Sequence, residues 1–538
     1  MSIFINLIGG LGLFLYGMNL MGEGLQKSTG PKLEKAIELL TSNVVMGVLV
    51  GAVVTGIIQS SGATTVMVVG FVNAGIMSLY QAIGVIMGAN IGTTVTAQLV
   101  SFDASIISSL ALGVGIILYM IGSKSKPNLK NISEILIGFA ILFIGMEFMK
   151  DAVAPLSKIE AFRNILQGLA NHPVIALLAG FAMTTCLQSS SASMGILIAL
   201  ASQGLMPLSG ALPILYGDNI GSCTTSLISS IGTNKNAKRA AVMHLTFNVI
   251  GTILFMLVLN KPISMIVTHL DPTDISRQIA NSHTLFNIIN VIILLPFSKY
   301  IVKLVMKFIP DNGDEEYDER ATKFLDERML ETPSIALGNV VKETLRMGRK
   351  ANETLECSIK AIRENSQEDI KKTFEKEDIV NQLQKKLIDY LVKLSKKSLD
   401  DKLIEQVDFL FNTVNDIERV SDHSENMAEL AQDLINSNAN LSKEAKDEIS
   451  YIYEKVTKVY TLSLQAMKED NKELAKEVLG LEEEVDCMEK SFRSSHMERL
   501  NKNLCKIDSG IVYLDLLSNL ERIADHSTNI AKRVIHSK

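Results

Sequence analysis

Two stretches set hydroxyls, glutamine and glycine into apolar surroundings. They are Thr55-Gly56-Ile57-Ile58-Gln59-Ser60-Ser61-Gly62-Ala63-Thr64-Thr65 and Thr184-Thr185-Cys186-Leu187-Gln188-Ser189-Ser190-Ser191-Ala192-Ser193. Serine hydroxyls donate to the oxygens of an anion, while glutamine and backbone carbonyls coordinate a hard cation such as sodium. Polar groups in mid-span survive in hydrocarbon where the helix is broken and buried or lines a cavity. Each stretch therefore reads as a re-entrant hairpin or discontinuous helix whose polar tip offers free N–H groups and a positive dipole end. The plainer alternative is that these hydroxyls bond back to the preceding turn or join helices. A lone Ser-Ser pair would favour that alternative; recurrence argues against it.

The two stretches are copies. Residues 51–96 match 180–225 at a constant offset of 129, pairing Gly51 with Gly180, Thr55 with Thr184 and Gln59-Ser60-Ser61 with Gln188-Ser189-Ser190. Asn90-Ile91-Gly92 likewise pairs with Asn219-Ile220-Gly221, and Gly17-Met18 with Gly145-Met146 at offset 128. The repeats run over about 1–121 and 132–259, with a final helix over about 284–308. Gln59, Ser60, Ser61, Thr64, Gln188, Ser189, Ser190, Ser191 and Ser193 are the expected substrate-binding residues. Thr55, Asn90, Thr93, Thr184, Asn219 and Ser222 are expected at, or just behind, a sodium site. Asp218 joins them, because a carboxylate at membrane depth is a functional candidate by default; its partner in the first copy is Ala89. Asn287 and Asn290 read as packing residues.

The elements that position these residues are membrane helices. Between Leu39 and Met120 the one charged residue is Asp103, and that stretch holds two segments long enough to span a bilayer core. Residues 1–310 carry 17 basic and 11 acidic side chains, whereas 311–538 carry 35 and 47. An apolar, net-positive part is thus joined near Pro310 to a charged, net-negative one. The first apolar run, from Ile3, lacks a basic lead and a cleavage pattern and reads as a retained helix. Positive-inside asymmetry places Lys27, Lys32, Lys35, Lys124, Lys126 and Lys130 in the cytoplasm, with Lys150, Lys158 and Arg163 against it. Helix 1 then ends inside and its copy ends outside, which makes the repeats inverted.

At these residues the chain resembles the sodium–phosphate cotransporter family, which includes the animal type II carriers and bacterial relatives. Its signature is a duplicated unit with Gln-Ser-Ser-Ser in each copy. The second copy here is complete (Gln188, Ser189, Ser190, Ser191), and the first has Gly62 at the last position. The resemblance, over about 1–305, implies sodium-coupled movement of inorganic phosphate by alternating access between the tips. Phosphate comes from the resemblance alone; hydroxyl chemistry by itself also suits sulfate.

Residues 310–333 read as a solvated linker, and 334–538 as long amphipathic helices with short polar breaks. Ile417-Glu418-Arg419-Val420-Ser421-Asp422-His423-Ser424 recurs as Leu520-Glu521-Arg522-Ile523-Ala524-Asp525-His526-Ser527, at offset 103. Two three-helix units follow, about 334–437 and 441–538. Glu418 with Asp422, and Glu521 with Asp525, are i, i+4 pairs that can share a divalent or iron ion. This half resembles PhoU, a two-repeat helical regulator whose matching motifs bind metal clusters. The expected metal residues are Glu418, Asp422, Glu521, Asp525, Asp416 and Asp515, with Asn412 and Asn519 as further ligands.

The expected fold is all-α: a polytopic membrane domain (1–309) of two inverted repeats with re-entrant hairpins, then a cytoplasmic two-repeat three-helix bundle. The expected setting is the bacterial inner membrane. The expected partners are inorganic phosphate, sodium and lipid, with room for a phosphate-signalling protein and a homodimer and none for nucleic acid. No nucleophile–base set, catalytic metal motif or phosphate loop ending in Lys stands out, which argues against an enzyme. A passive or export pathway and a membrane-anchored phosphate sensor stay open as alternatives.

Overall fold

A computed structural model describes residues 2–29, 43–102, 105–122, 127–310, 320–397, 399, 401–502 and 504–536. Lys32, Lys35, Asp103, Lys124, Lys126 and the acidic run 314–316 lie outside them. The described residues are helical, and the chain divides into two compact units, Met1–Asp314 and Glu315–Lys538.

In the first unit, α1 (Ser2–Thr29) is followed by α2 (Val44–Ile58), α3 (Ser61–Asn73), α4 (Leu79–Ser101) and α5 (Ser105–Ile121). The second copy opens with α6 (Pro127–Val153) and α7 (Glu160–Asn171), then runs through α8 (Pro173–Leu187), α9 (Ser190–Ser202), α10 (Leu208–Gly221) and α11 (Cys223–Ser229). Next come α12 (Lys235–Leu254), α13 (Asn260–Leu270), α14 (Ile275–Leu294) and α15 (Ser298–Phe308). Among the described residues five helical spans are long and apolar enough to cross a membrane, or six if α7 and α8, bent by 107°, count as one. The final segment expected at 284–308 begins earlier, because Asp274 caps the start of α14 by accepting the Ser276 amide at 2.8 Å. It breaks at Leu295–Phe297, where Pro296 lacks the N–H that would continue the ladder.

Glycines set the close packing. α1 and α6 run antiparallel: Gly10 meets Gly145 and Met149, Gly17 meets Gly138 and Leu142, and Gly24 meets Asn131 and Ile135. Backbones approach so closely that a Cβ at Gly17 would overlap the Leu142 amide. Such small-residue seams replace the hydrophobic drive that lipid removes. α2 packs on α4 in the same way, and α8 on α10, contact for contact at offset 129. A Cβ on Gly88 would strike the Val48 carbonyl, and one on Gly217 the Leu177 carbonyl. The duplication read in the sequence is therefore a duplication of packing.

Among the described residues the second unit has six long helices: α16 (Pro333–Glu364), α17 (Gln367–Ser395), α18 (Asp401–Asn436), α19 (Lys443–Glu469), α20 (Lys472–Asn501) and α21 (Ile507–His536). α16–α18 pack as one bundle and α19–α21 as another, and α18 crosses α21 to join them. Residues 320–332, given above to a solvated linker, are held on the first bundle. Buried Glu343 accepts the backbone N–H groups of Lys323 (3.0 Å) and Phe324 (2.7 Å), and Arg346 donates to the Ala321 carbonyl at 2.7 Å. Tyr390 donates to the Asp326 carbonyl at 2.8 Å. A buried carboxylate needs donors, and this connector supplies them.

Candidate functional site

α2 and α8 each end on their glutamine, in the left-handed region at φ 59° for Gln59 and 51° for Gln188. The side chain holds that conformation. Gln59 Nε2 donates to the Gly56 carbonyl, and Thr96 Oγ1 donates to Gln59 Oε1 at 2.9 Å. In the second copy Gln188 Nε2 donates to the Thr185 carbonyl at 2.6 Å, and Thr225 Oγ1 to Gln188 Oε1 at 3.0 Å. The chain then restarts as α3 and α9, capped by Ser60 (from the Ala63 amide, 3.1 Å) and Ser189 (from Ala192, 3.2 Å). The glutamines thus shape the tips, and each capping hydroxyl keeps its proton to donate. The first-turn amides of Ser61 and Gly62, and of Ser190 and Ser191, have no intrahelical acceptor and suit an anion.

The tips differ in exposure: Gln59 is 5% exposed, whereas Gln188 is open. Ser61 and Ser191 are buried and Ser190 half-buried. Gly62 faces Thr225, the residue bound to Gln188, with a Cβ at 62 in ordinary contact at 3.5 Å. The first tip therefore touches the helix that braces the second.

The copies also differ one layer behind. In the first, where Ala89 is the counterpart of Asp218, Thr55 Oγ1 donates directly to Thr64 Oγ1 at 2.9 Å. In the second, Asp218 stands between the equivalent residues, its Oδ1 accepting Thr184 at 2.9 Å and Ser193 at 2.7 Å. Asp218 is 1% exposed and its Oδ2 has no partner. One carboxylate oxygen is thus left for a cation or proton.

Three expected sodium residues bond within their own helices: Thr93 to the Ala89 carbonyl (3.0 Å), Asn219 Nδ2 to Leu215 (2.9 Å) and Ser222 to Asn219 (2.7 Å). Asn90 instead enters a buried network. Its Nδ2 donates to Asn248 Oδ1 at 2.7 Å and its Oδ1 lies 3.2 Å from His244 Nε2, while His244 Nδ1 lies 3.2 Å from Ser226 Oγ. Asn248 Nδ2 donates to Cys223 Sγ at 3.2 Å. His244, Asn248 and Ser226 are absent from the sequence expectations. The available signal is a further repeat, His244-x-x-Phe247-Asn248 and His283-x-x-Phe286-Asn287.

A family model described as Na+/Pi-cotransporter matches residues 13–151 and 154–270, and a PhoU domain model matches 344–431 and 449–534. "Uncharacterized protein YqeW" of Bacillus subtilis is 31% identical over 297 residues, 55% of this chain and 95% of its own length. The chain belongs to the Na+/Pi-cotransporter family. "Putative inorganic phosphate export protein YjbB" of Salmonella typhimurium is 23% identical over 99% of this chain and 97% of its own length. Rat "Sodium-dependent phosphate transport protein 2A" is 28% identical over 130 residues, 23% of this chain and 20% of its own length. The first unit is accordingly the membrane part of a transporter-family protein, followed by a PhoU domain.

In the PhoU domain the acidic residues fall into two facing sets. Glu482 and Asp486 of α20 meet Asp525 of α21, each offering an oxygen within 4.8 Å of the others, a donor set that suits a cation. Glu521 lies beside them, its carboxyl raised by burial and then by Asp525 and Asp486. In the first bundle Glu377 of α17 faces Glu418, Asp422 and Glu425 of α18; burial and then these charges push Glu377 up to about 7. Asn381 stands four residues after Glu377 as Asp486 stands four after Glu482, so the first set lacks that i, i+4 carboxylate pair on α17. Two expected ligands are placed elsewhere. Asp416 is paired with Arg533 and with His526 Nδ1 at 2.9 Å, and Asp515 is exposed. Asn412 bonds the Asp408 carbonyl at 2.8 Å, and Asn519 Oδ1 lies 2.9 Å from His423 Nδ1. The sequence reading missed Glu482 and Asp486, although they form an i, i+4 pair, because the pairing of α20 with α21 is a tertiary fact.

Proposed function

We propose that the membrane unit moves inorganic phosphate with sodium across the bacterial inner membrane by alternating access between the two Gln-Ser-Ser tips. The observation that carries this reading is the bond-for-bond recurrence of the tips at offset 129, each presenting a serine-capped helix N-terminus with free first-turn amides. Phosphate is held by those amides and by the hydroxyls of Ser60, Ser61, Ser189, Ser190 and Ser191, with sodium supplying the positive charge; Thr64 and Ser193, expected beside them, spend their protons on the Ser60 carbonyl and on Asp218.

Sodium occupies the second copy behind the tip, on Asp218, Thr184 and Ser193; in the first, Thr55 and Thr64 close on each other. The antiparallel packing of α1 on α6, which are repeat partners, supports inversion of the repeats and hence a site shared across a pseudo-twofold axis. The PhoU domain (334–538) lies in the cytoplasm and adjusts flux according to cations held at Glu482, Asp486, Glu521 and Asp525, and at Glu418 and Asp422 with Glu377. It offers a surface to a phosphate-signalling protein. Deleting 315–538 should leave coupled transport intact and change its control; unaltered phosphate sensitivity in cells would refute the regulatory part.

A second reading, net export, is favoured by the name of the YjbB relative, which matches nearly the full length of both chains. Phosphate flux in proteoliposomes under sodium gradients of either direction tests both readings. Flux that follows the gradient supports coupling. Flux indifferent to sodium overturns coupling and leaves a passive route.

A further inference from the structure

α14 carries the second copy of the His-x-x-Phe-Asn motif, and there the side chains behave differently. His283, Asn287 and Asn290, spaced i, i+4 and i+7, lie on one helix face and are 3%, 0% and 0% exposed. His283 Nδ1, Asn287 Oδ1 and both amide atoms of Asn290 are buried with no hydrogen-bond partner. In the first copy, on α12, the corresponding His244 Nδ1 meets Ser226 Oγ and Asn248 Oδ1 accepts from Asn90 Nδ2.

Packing makes room for this row. Position 251 of α12, the counterpart of Asn290 at offset 39, is glycine, and the Asn290 amide lies against it so closely that any Cβ would collide. Phe255, just past the end of α12, packs on Phe286 at 4.6 Å between centroids, and Phe286 stacks on Tyr216 of α10 at 5.1 Å. Asn290 thus lies against α12 one turn from Asn248, and Phe286, on the same face of α14, lies against Phe255 and Tyr216. Apolar residues would fill such a position at lower cost, since buried amides without partners are strongly disfavoured.

We propose that Asn287 and Asn290, with His283 beside them, form a sodium site distinct from the Gln-Ser-Ser tips and from Asp218. Two uncharged amide oxygens in a dry, rigid setting are hard donors for a dehydrated monovalent cation. A divalent ion would need carboxylates that the row lacks. α14 lies beyond residue 270, where the family-model match ends. The proposal rests on the sodium-coupled reading and adds a place for an ion in it.

The test uses the full chain in proteoliposomes, measuring the half-saturating sodium concentration for phosphate flux. A companion measurement is the sodium-induced rise in melting temperature in detergent, without phosphate and against potassium. Asn287→Ala and Asn290→Ala should each raise half-saturating sodium about tenfold, as expected for loss of one ligand worth ~1.4 kcal/mol. Half-saturating phosphate at saturating sodium should stay unchanged, and the melting shift should shrink. Asn287→Asp and Asn290→Asp, which keep the oxygen, should retain the shift. Should an alanine variant not fold, Asn287→Ser or Asn290→Ser carries the same readout. Unchanged sodium dependence in these variants, with a sodium-dependent wild type, means that the row holds ordered water only and overturns the site alone. A wild type indifferent to sodium overturns the coupling reading and the site together.

Discussion

Asp218→Ala gives the second copy the residue that the first copy has at Ala89. In the first copy the two hydroxyls bond each other at 2.9 Å, so Thr184 and Ser193 have a ready alternative once the carboxylate is gone. The fold should therefore tolerate the change. What is lost is a buried negative charge with one oxygen free for a cation. Two unit charges about 4 Å apart attract by about 4 kcal/mol at an effective dielectric near 20. Allowing for partial hydration of the ion, about 2–4 kcal/mol of sodium binding should go, a roughly 30- to 1000-fold weakening. The assay is phosphate flux against sodium concentration, with the sodium-to-phosphate ratio taken from reversal potentials. The expected variant folds, needs far more sodium and moves fewer ions per phosphate. Unchanged half-saturating sodium and an unchanged ratio would refute a cation role for Asp218.

Gly62→Ser restores a complete signature in the first tip and should leave flux within about twofold, because the added Cβ meets Thr225 at an ordinary 3.5 Å. Gly88→Ala should abolish folded protein in size-exclusion profiles, since its Cβ would overlap the Val48 carbonyl. Glu377, pushed up to about 7, destabilises the folded PhoU domain as pH rises from its unfolded value of 4.5 through 7. In chelator at pH 7.5, Glu377→Gln should therefore stabilise that domain by about 1–2 kcal/mol after solvent screening, and by nothing near pH 4, in thermal unfolding. Asp416→Asn should cost about 3 kcal/mol in the same assay, because it strips Arg533 and His526 of their shared carboxylate.

The tips were legible because their chemistry is local: serine is a ready helix N-cap, and the offset of 129 marks the same Gln-Ser-Ser twice in apolar sequence. Asp218 was legible as a charge in apolar sequence, though not its insertion between Thr184 and Ser193. What the sequence hid is tertiary. Asn90 looks alike on paper whether it packs or, as here, joins His244 and Asn248 across 154 and 158 residues. Asn287 and Asn290 read as packing because isolated amides in membrane helices usually are; their unpartnered atoms appear only once the neighbours are in place. The connector at 320–332 looks solvated by composition, and the buried acceptor that captures it, Glu343, belongs to a helix 20 residues on.

The most direct test of the central claim is phosphate flux through the purified chain in proteoliposomes, with and without a sodium gradient, beside Ser190→Ala. Gradient-dependent flux that falls in the variant is the predicted result. Flux that ignores sodium, or survives unchanged in Ser190→Ala, would contradict a sodium-coupled carrier with its site at the paired tips.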